Sequence, residues 1–553
     1  MAESAPATQH PWLSQYPATV AAELVPAQPD ALSQFRAAVA VAPERAAILY
    51  FDRAISYRQL DAMSDALAAE LFAGGFGAGD RLAIYLQNMP QFLIAVLAAW
   101  KAGGIAVTIN PMNRQYEVSK LLADAQPRAM LCLNALRDEV LSRLPEDAQL
   151  PPLLIGTATD GFQSRQDPRI FKDDRAGAGA AGDDLQRILE RRSGQRPPLF
   201  TPSPDDPAFI VYTSGTTGQP KGAVITQRNV VHLTEAHRAW YGLGEGGPIL
   251  AAAPLFHITG LVGHMALAWT LAAPLVLCHR FDPAVVVDAI AEHRPVFTAN
   301  AITAYIALMN QPDLRPQRLT SLSTVVSGGA PVPPSVVAQV EQKLGWRILN
   351  GYGLTESSAG VLIMPRDRPG RVDPVSGALS VGTPIAGVDA WICSEEGARL
   401  GHDEIGEIVL AGAMISPGYW RKPEDTAQSM REDGFRTGDI GFMDAAGWFY
   451  IVDRKKDMIN ASGYKVWPRE VEDVLYGHPA VQEAAVVGVP DSYRGESVKA
   501  VVSLKSGAVV SGEELTTWCR ERLAAYKVPR AVDIIEELPK NAAGKILRRM
   551  LRT

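Results

Sequence analysis

The stretch Ala208-Phe-Ile-Val-Tyr-Thr-Ser-Gly-Thr-Thr-Gly-Gln-Pro-Lys-Gly222 decides the fold. Its first five residues are apolar and β-favouring and read as a short buried strand. The glycine-rich run that follows, Tyr212 to Gly222, brings backbone N–H groups close to an anion. Hydroxyls add donors and Lys221 adds a point charge. Thr213, Ser214, Gly215, Thr216, Thr217, Gly218 and Lys221 are therefore candidate phosphate-binding residues. A Walker loop would place the lysine directly after glycine and a hydroxyl directly after the lysine. Here Pro220 precedes Lys221 and Gly222 follows it, so that class is excluded. The other glycine cluster, Gly74 to Gly79, follows a helical pattern and precedes a strand. That order is the reverse of a dinucleotide fingerprint and predicts a helix-to-strand turn.

Outward from the loop, helical patterns alternate with short apolar strands from Pro43 to about Pro423, which favours a layered α/β domain. Asp61 to Phe72 and Gln91 to Lys101 read as helices. Arg81 to Leu86, Ala129 to Leu133, Leu275 to Cys278, Ser323 to Ser327 and Arg347 to Tyr352 read as strands. Gly156 to Pro204, rich in Gly, Asp, Arg and Pro, reads as an exposed connection. A second α+β unit begins near Asp453-Arg-Lys-Lys-Asp457. It has helices at Pro468 to Tyr476 and Gly512 to Leu523, and strands at Glu483 to Val489, Val498 to Leu504 and Ala531 to Ile535. The expected division is 1–453 and 454–553. The charged run between the units suits either a hinge or a solvated turn.

Composition sets the outer bounds. A chain of 553 residues exceeds one core. Its net charge of −7 argues against general nucleic-acid binding. Cys132, Cys278, Cys393 and Cys519 lie far apart and fit buried residues in a reducing cytoplasm. The polar stretch Met1 to His10 lacks an export pattern. The longest apolar run, Met265 to Cys278, is shorter than the ~20 residues of a membrane helix and contains Pro274. A peripheral membrane contact and a homodimer are both compatible with this composition.

Three more segments carry chemistry. Asn350-Gly-Tyr-Gly-Leu-Thr-Glu-Ser357 offers an aromatic face, a hydroxyl (Thr355) and a carboxylate (Glu356) able to hold Mg²⁺ through oxygen. Arg436-Thr-Gly-Asp-Ile440 sets Asp439 where a carboxylate can grip a ribose. Pro539-Lys-Asn-Ala-Ala-Gly-Lys-Ile546 presents Lys545 from a glycine-flexed loop.

With these motifs in this order, the chain resembles the acyl-adenylate-forming superfamily: acyl-CoA synthetases, coumarate-type ligases, firefly luciferase and peptide-synthetase adenylation domains. The resemblance runs from about Pro43 to Arg549 and includes Gly406-Glu407 and Gly418-Tyr419. It implies a large N-terminal layered α/β domain with a small mobile C-terminal domain, and ATP, Mg²⁺ and coenzyme A as small-molecule partners. It also implies roles for particular residues. The 213–221 loop would wrap the β- and γ-phosphates. Gly328, Gly329 and Ala330 would hold the adenine with Asn350, Gly351 and Tyr352. Thr355 would touch the α-phosphate, Glu356 would bind Mg²⁺, and Asp439 with Arg454 would take the ribose. Lys545 would bridge the acid and the α-phosphate. The C-terminal domain would then turn about Lys456 and bring Ala461-Ser-Gly463 to the pantetheine tunnel. His257 sits where such enzymes place an acyl-pocket gate. Asn350 departs from the Gln or Glu of many relatives, and Trp467 is bulkier than the family pattern.

Relatives that activate amino acids carry an acid where His257 stands, which speaks against an amino-acid substrate. Residues Thr298 to Tyr305 and Gly328 are small or apolar and suit an aliphatic chain or a ring. The segment Trp12 to Pro17, ahead of a helix at Leu32 to Val39, is similar to long-chain fatty acyl-CoA ligases. The expected activity is ligation of a medium- or long-chain fatty acid to CoA. The alternatives are an aryl or cinnamic-type acid, or a separate carrier protein as acceptor.

Overall fold

A computed structural model describes residues 10–552 except 147, 172–182, 214–219, 313, 376, 455–456, 462–463, 492–494 and 542–543. The strand Pro207–Thr213 lies inside an eight-stranded sheet, parallel to Ile105–Thr108 on one side and antiparallel to Lys221–Thr226 on the other. A second sheet of nine strands is also mainly parallel, with Phe297–Asn300, Thr324–Ser327 and Ile348–Leu354 side by side. Parallel strands need both faces covered, and the helices supply that cover. Pro90–Lys101 is buried along its whole length, its Trp100 ring 5.1 Å from Phe209 and 5.8 Å from Trp269. Its one charge, Lys101, is held by Asp61 at 2.6 Å and Asp65 at 2.7 Å. Pairing on this scale is what a buried ammonium requires.

An antiparallel five-stranded sheet built on Gly406–Gly412 and Gly434–Met443 closes the large domain. The chain then enters a separate sheet in which Val481–Asp491 and Gly495–Leu504 pair along their length and Pro468–Tyr476 packs on the long hairpin. The layered α/β domain and the small α+β domain are thus both present.

Local rules account for the element ends. The helix expected from Asp61 begins at Tyr57, because Ser56 accepts from Gln59 N while Gln59 accepts from Ser56 N. The cluster Gly74 to Gly79 is the helix-to-strand turn its order predicts, leading into Arg81–Tyr85. The connection at 156–204 is less featureless than its composition. It contains Leu185–Arg191, capped by Asp184 and burying Leu185 and Ile188; residues 172–182 lie outside the described ones. The apolar run Met265 to Cys278 divides into the end of a π-helix, Thr259–Ala266, a short helix and the strand Leu275–Leu277. Trp467 also finds a reason: it packs on the Met364, Phe442, Trp448, Tyr450 and Val452 cluster at the junction of the two units. All four cysteines are free and buried.

Candidate active site

The candidate residues stand on or just after the strands Pro207–Thr213, Ile348–Leu354 and Gly434–Met443 of the large domain, with Lys545 on the small one. The hairpin of Pro207–Thr213 and Lys221–Thr226 sets Thr213 opposite Lys221. Thr213 Oγ1 donates to Lys221 O at 3.4 Å. The candidates Ser214, Gly215, Thr216, Thr217 and Gly218 lie outside the described residues, as do Lys456 and Gly463. Lys221 ion-pairs with Asp425, and its ammonium stands 5.5 Å from the centre of the Tyr419 ring.

Tyr419 joins two motifs that are far apart in sequence. The strand Gly418–Tyr419 pairs with the far edge of the hairpin, and the Tyr419 hydroxyl donates to Glu356 Oε1 at 2.7 Å. Burial and the Glu356 carboxylate both raise the pKa of that phenol, which keeps its proton available for donation. Glu356 follows Thr355 in a single 3₁₀ turn after Ile348–Leu354, and its carbonyl accepts from Ser416 N at 2.7 Å. Among the described residues no group of three or more His, Cys, Asp or Glu side chains could hold a metal. One buried carboxylate, Glu356, fits Mg²⁺, which is usually held by one or two carboxylates together with substrate phosphates.

On the neighbouring strands, Ser327 is in register with Asn350, so the Gly328–Ala330 turn lies beside Gly351 and Tyr352. Tyr352 donates its hydroxyl to Asp439 Oδ2 at 2.6 Å, with both residues buried. The backbone of Asp439 is fixed by Thr437 Oγ1 at 3.1 Å, and Arg454 sits opposite it in register. The Asn350 amide faces another way, donating to Ser380 O at 2.9 Å. Its side chain therefore joins this strand to the 379–380 segment.

A further cluster surrounds His257. Asn88 shapes the segment before it, donating to Ala251 O and Ala253 O and accepting from Leu255 N at 2.7 Å. Burial, and then the nearby Lys545 ammonium, push the His257 imidazole down to about 4, so it is neutral near pH 7. Lys545 reaches this neighbourhood from the small domain, whose loop tip touches helix Ile302–Met309 through Thr303 and Gly544. The structure thus brings together Lys221 with Thr213, Glu356 with Tyr419, Tyr352 with Asp439, and Lys545 with His257. Tyr419, Asp425, Asn88 and Thr303 carry contacts that their motifs alone do not reveal. For Tyr419 the signal was present, since it stands in a recognisable Gly-Tyr pair.

This is the architecture of a two-domain adenylate-forming enzyme. The AMP-binding enzyme family model matches residues 35–420, and the AMP-binding enzyme C-terminal domain model matches 470–545. The chain belongs to this family, and within it to the AMP-forming acid–CoA ligases. The long-chain-fatty-acid–CoA ligase of Bacillus subtilis (strain 168) is 37% identical, covering 98% of each chain. A feruloyl-CoA synthase of Amycolatopsis is 34% identical over 93% of this chain and 96% of its own. ATP-bound MatB from Rhodopseudomonas palustris superposes with a TM-score of 0.82 at 27% identity, covering 95% of this chain and 98% of its own. The apo form of the same protein superposes less well, at 0.73, with 28% identity and the same coverage.

Proposed function

We propose that the acid is a medium- or long-chain fatty acid. The observation that carries this is the state of the polar side chains between Thr298 and Tyr305. Thr298 donates to Leu250 O at 2.9 Å, Asn300 to Thr298 Oγ1 at 2.9 Å, and Tyr305 to Val326 O at 2.7 Å. Thr303 donates to Gly544 O. Each is engaged inside the protein, and no charged side chain stands among them to reward an ammonium or a second carboxylate. The 37% identity to a ligase named for long-chain fatty acids supports the same reading. The feruloyl-CoA synthase relative favours a second one, an aryl-propenoic acid.

In the first step an oxygen of the acid attacks the α-phosphorus of ATP, a P–O bond forms, and pyrophosphate leaves. We assign the β- and γ-phosphates to the 213–221 loop, the α-phosphate to Thr355, the adenine to 328–330 and 350–352, and the ribose to Asp439 with Arg454. When bound, Mg²⁺ would be held by Glu356 and would neutralise phosphate charge. Lys545 supplies charge where the acid and the α-phosphate meet. Catalysis of this kind rests on positioning and electrostatics, and needs no protein nucleophile. The better superposition on an ATP-bound relative supports a first-step arrangement of the two domains. In the second step the small domain, divided from the large one after residue 453, turns about Lys456. The CoA sulfur then attacks the acyl carbonyl and AMP departs with the bonding electrons. A cytoplasmic setting fits the free cysteines. Among the described residues no helix is long and apolar enough to cross a membrane.

The test is kcat/KM across straight-chain acids from acetate to palmitate, with benzoate and cinnamate alongside. Each buried methylene contributes roughly 0.8 kcal/mol, so an eight-carbon acid should lead acetate by several kcal/mol. A flat profile, or an aryl acid in the lead, would overturn the fatty-acid reading.

A further inference from the structure

The loop that carries Lys545 is braced within its own domain at both ends. Lys540 Nζ lies 2.8 Å from Glu483 Oε2, and Arg548 Nη2 lies 2.6 Å from Glu472 Oε2. Between them Gly544 N donates to Asn541 O at 2.9 Å and Asn541 N to Lys545 O at 2.8 Å. The peptide unit joining Gly544 to Lys545 is held at both polar ends. Its N–H, on Lys545, donates to Asn541 Oδ1 at 2.9 Å. Its carbonyl, on Gly544, accepts from Thr303 Oγ1 at 2.9 Å.

Thr303 belongs to the large domain, as the second residue of helix Ile302–Met309. A peptide unit is planar, so fixing both ends fixes the plane from which the Lys545 side chain departs. The contact is also closely fitted. Gly544 has φ +78°, and a Cβ built on it would fall 2.6 Å from Thr303 Oγ1.

We propose that Thr303 is a positioning residue for adenylation alone: its hydroxyl locks the peptide plane before Lys545 while the small domain is docked. The proposal rests on the role assigned above to Lys545. A residue that merely packed the start of a helix would serve both half-reactions alike, because the large domain holds the acyl group in each. The lock serves one of them, because the loop leaves Thr303 when the small domain turns.

The test compares the two half-reactions in the full-length protein, reading adenylation by acid-dependent ATP–pyrophosphate exchange and the second step by thioester formation from supplied acyl-AMP. Thr303→Val keeps the volume and removes the donor. It should slow exchange by about three- to tenfold, the factor one net hydrogen bond gives, and by clearly more than it slows the thioester step. Thr303→Ser should restore exchange. Gly544→Ala, which sets a methyl group against the same hydroxyl from the other domain, should produce the same one-sided loss. Equal slowing of both steps, or no slowing of exchange, overturns the proposal. Lys545→Ala separates it from the reading beneath it. That variant should lose exchange by at least 10²-fold as an order of magnitude. If it exchanges at the wild-type rate, the role of Lys545 fails and the lock with it. If it loses exchange while Thr303→Val does not, the lock alone fails.

Discussion

The buried acids of this site are kept in place by phenols. Tyr419 donates to Glu356 and Tyr352 donates to Asp439, at 2.7 and 2.6 Å. A hydrogen bond to a carboxylate favours its charged form and fixes its rotamer. Both effects matter for a group proposed to meet a cation. Removing one partner from a buried acceptor costs about 1–3 kcal/mol, and the loss should appear where the cation binds. Tyr419→Phe is therefore expected to raise the Mg²⁺ concentration for half-maximal adenylation about tenfold or more. At saturating Mg²⁺ the rate should recover. A Mg²⁺ titration of pyrophosphate release checks this, and superimposable curves for wild type and variant would remove Tyr419 from the site. Lys221 has a comparable dependence, since it is paired with Asp425 and faces the Tyr419 ring.

Among the elements, the turn that leads from Pro254 into the π-helix Thr259–Ala266 sets the position of His257. His257 N donates to Pro254 O and Leu261 N to His257 O, which draws the chain back on itself. At Gly260 a Cβ would fall 2.1 Å from Pro254 O, against backbone that cannot move aside. Gly260→Ala should therefore destabilise the protein by about 1–3 kcal/mol, as overpacking does, and lower kcat/KM by moving His257. Gly263→Ala meets only Thr259 Cγ2 at 3.8 Å and should be tolerated. A thermal melt and an activity assay of both variants decide the matter, and equal melting points would contradict it. Nothing in the amino-acid pattern announces this π-helix, because a five-residue hydrogen-bond step leaves no apolar period to read. Elements with local signals are a different case. Pro468–Tyr476 and Ala129–Leu133 begin and end where their sequence puts them, the first with proline at its start. The strand Pro207–Thr213 and the strand Ile348–Leu354 with its Gly-Tyr-Gly end were legible for the same reason, since each is defined within a dozen residues. What escaped was held by partners distant in the chain. Asn88 shapes the 251–255 segment from 163 residues away, and Tyr419 meets Glu356 across 63. Such pairs exist only once the sheets have formed.

At the scale of the whole molecule, the buried titratable groups set how the fold answers acid. In the large domain burial is the largest cause that pushes His237, His257, His264 and His279 down to about 4, 4, 3 and 3. An exposed histidine in the unfolded chain titrates near 6.5. Above that pH neither state is protonated and these groups contribute their full share of stability. As the pH falls below it, the unfolded chain takes up protons that the native core refuses. Each histidine then reduces stability by about 1.4 kcal/mol per pH unit, until the native group titrates as well. Asp473 works in the opposite sense. Burial pushes its carboxyl up to about 7, ahead of the attraction of Arg469. Below pH 7 the native state thus holds a proton that the unfolded state does not take up until near pH 4, and this offsets one of the four histidines. The net difference is about two and a half protons between pH 6 and 5, which is roughly 3–4 kcal/mol of stability lost over that unit. The unfolding midpoint measured at one scan rate at pH 7, 6 and 5 should fall modestly between the first two and more steeply to the third. His237→Asn removes one histidine from the sum and should flatten the drop. A midpoint that stays level or rises from pH 6 to 5 would mean that the core histidines are protonated in the native state, against the burial that surrounds them.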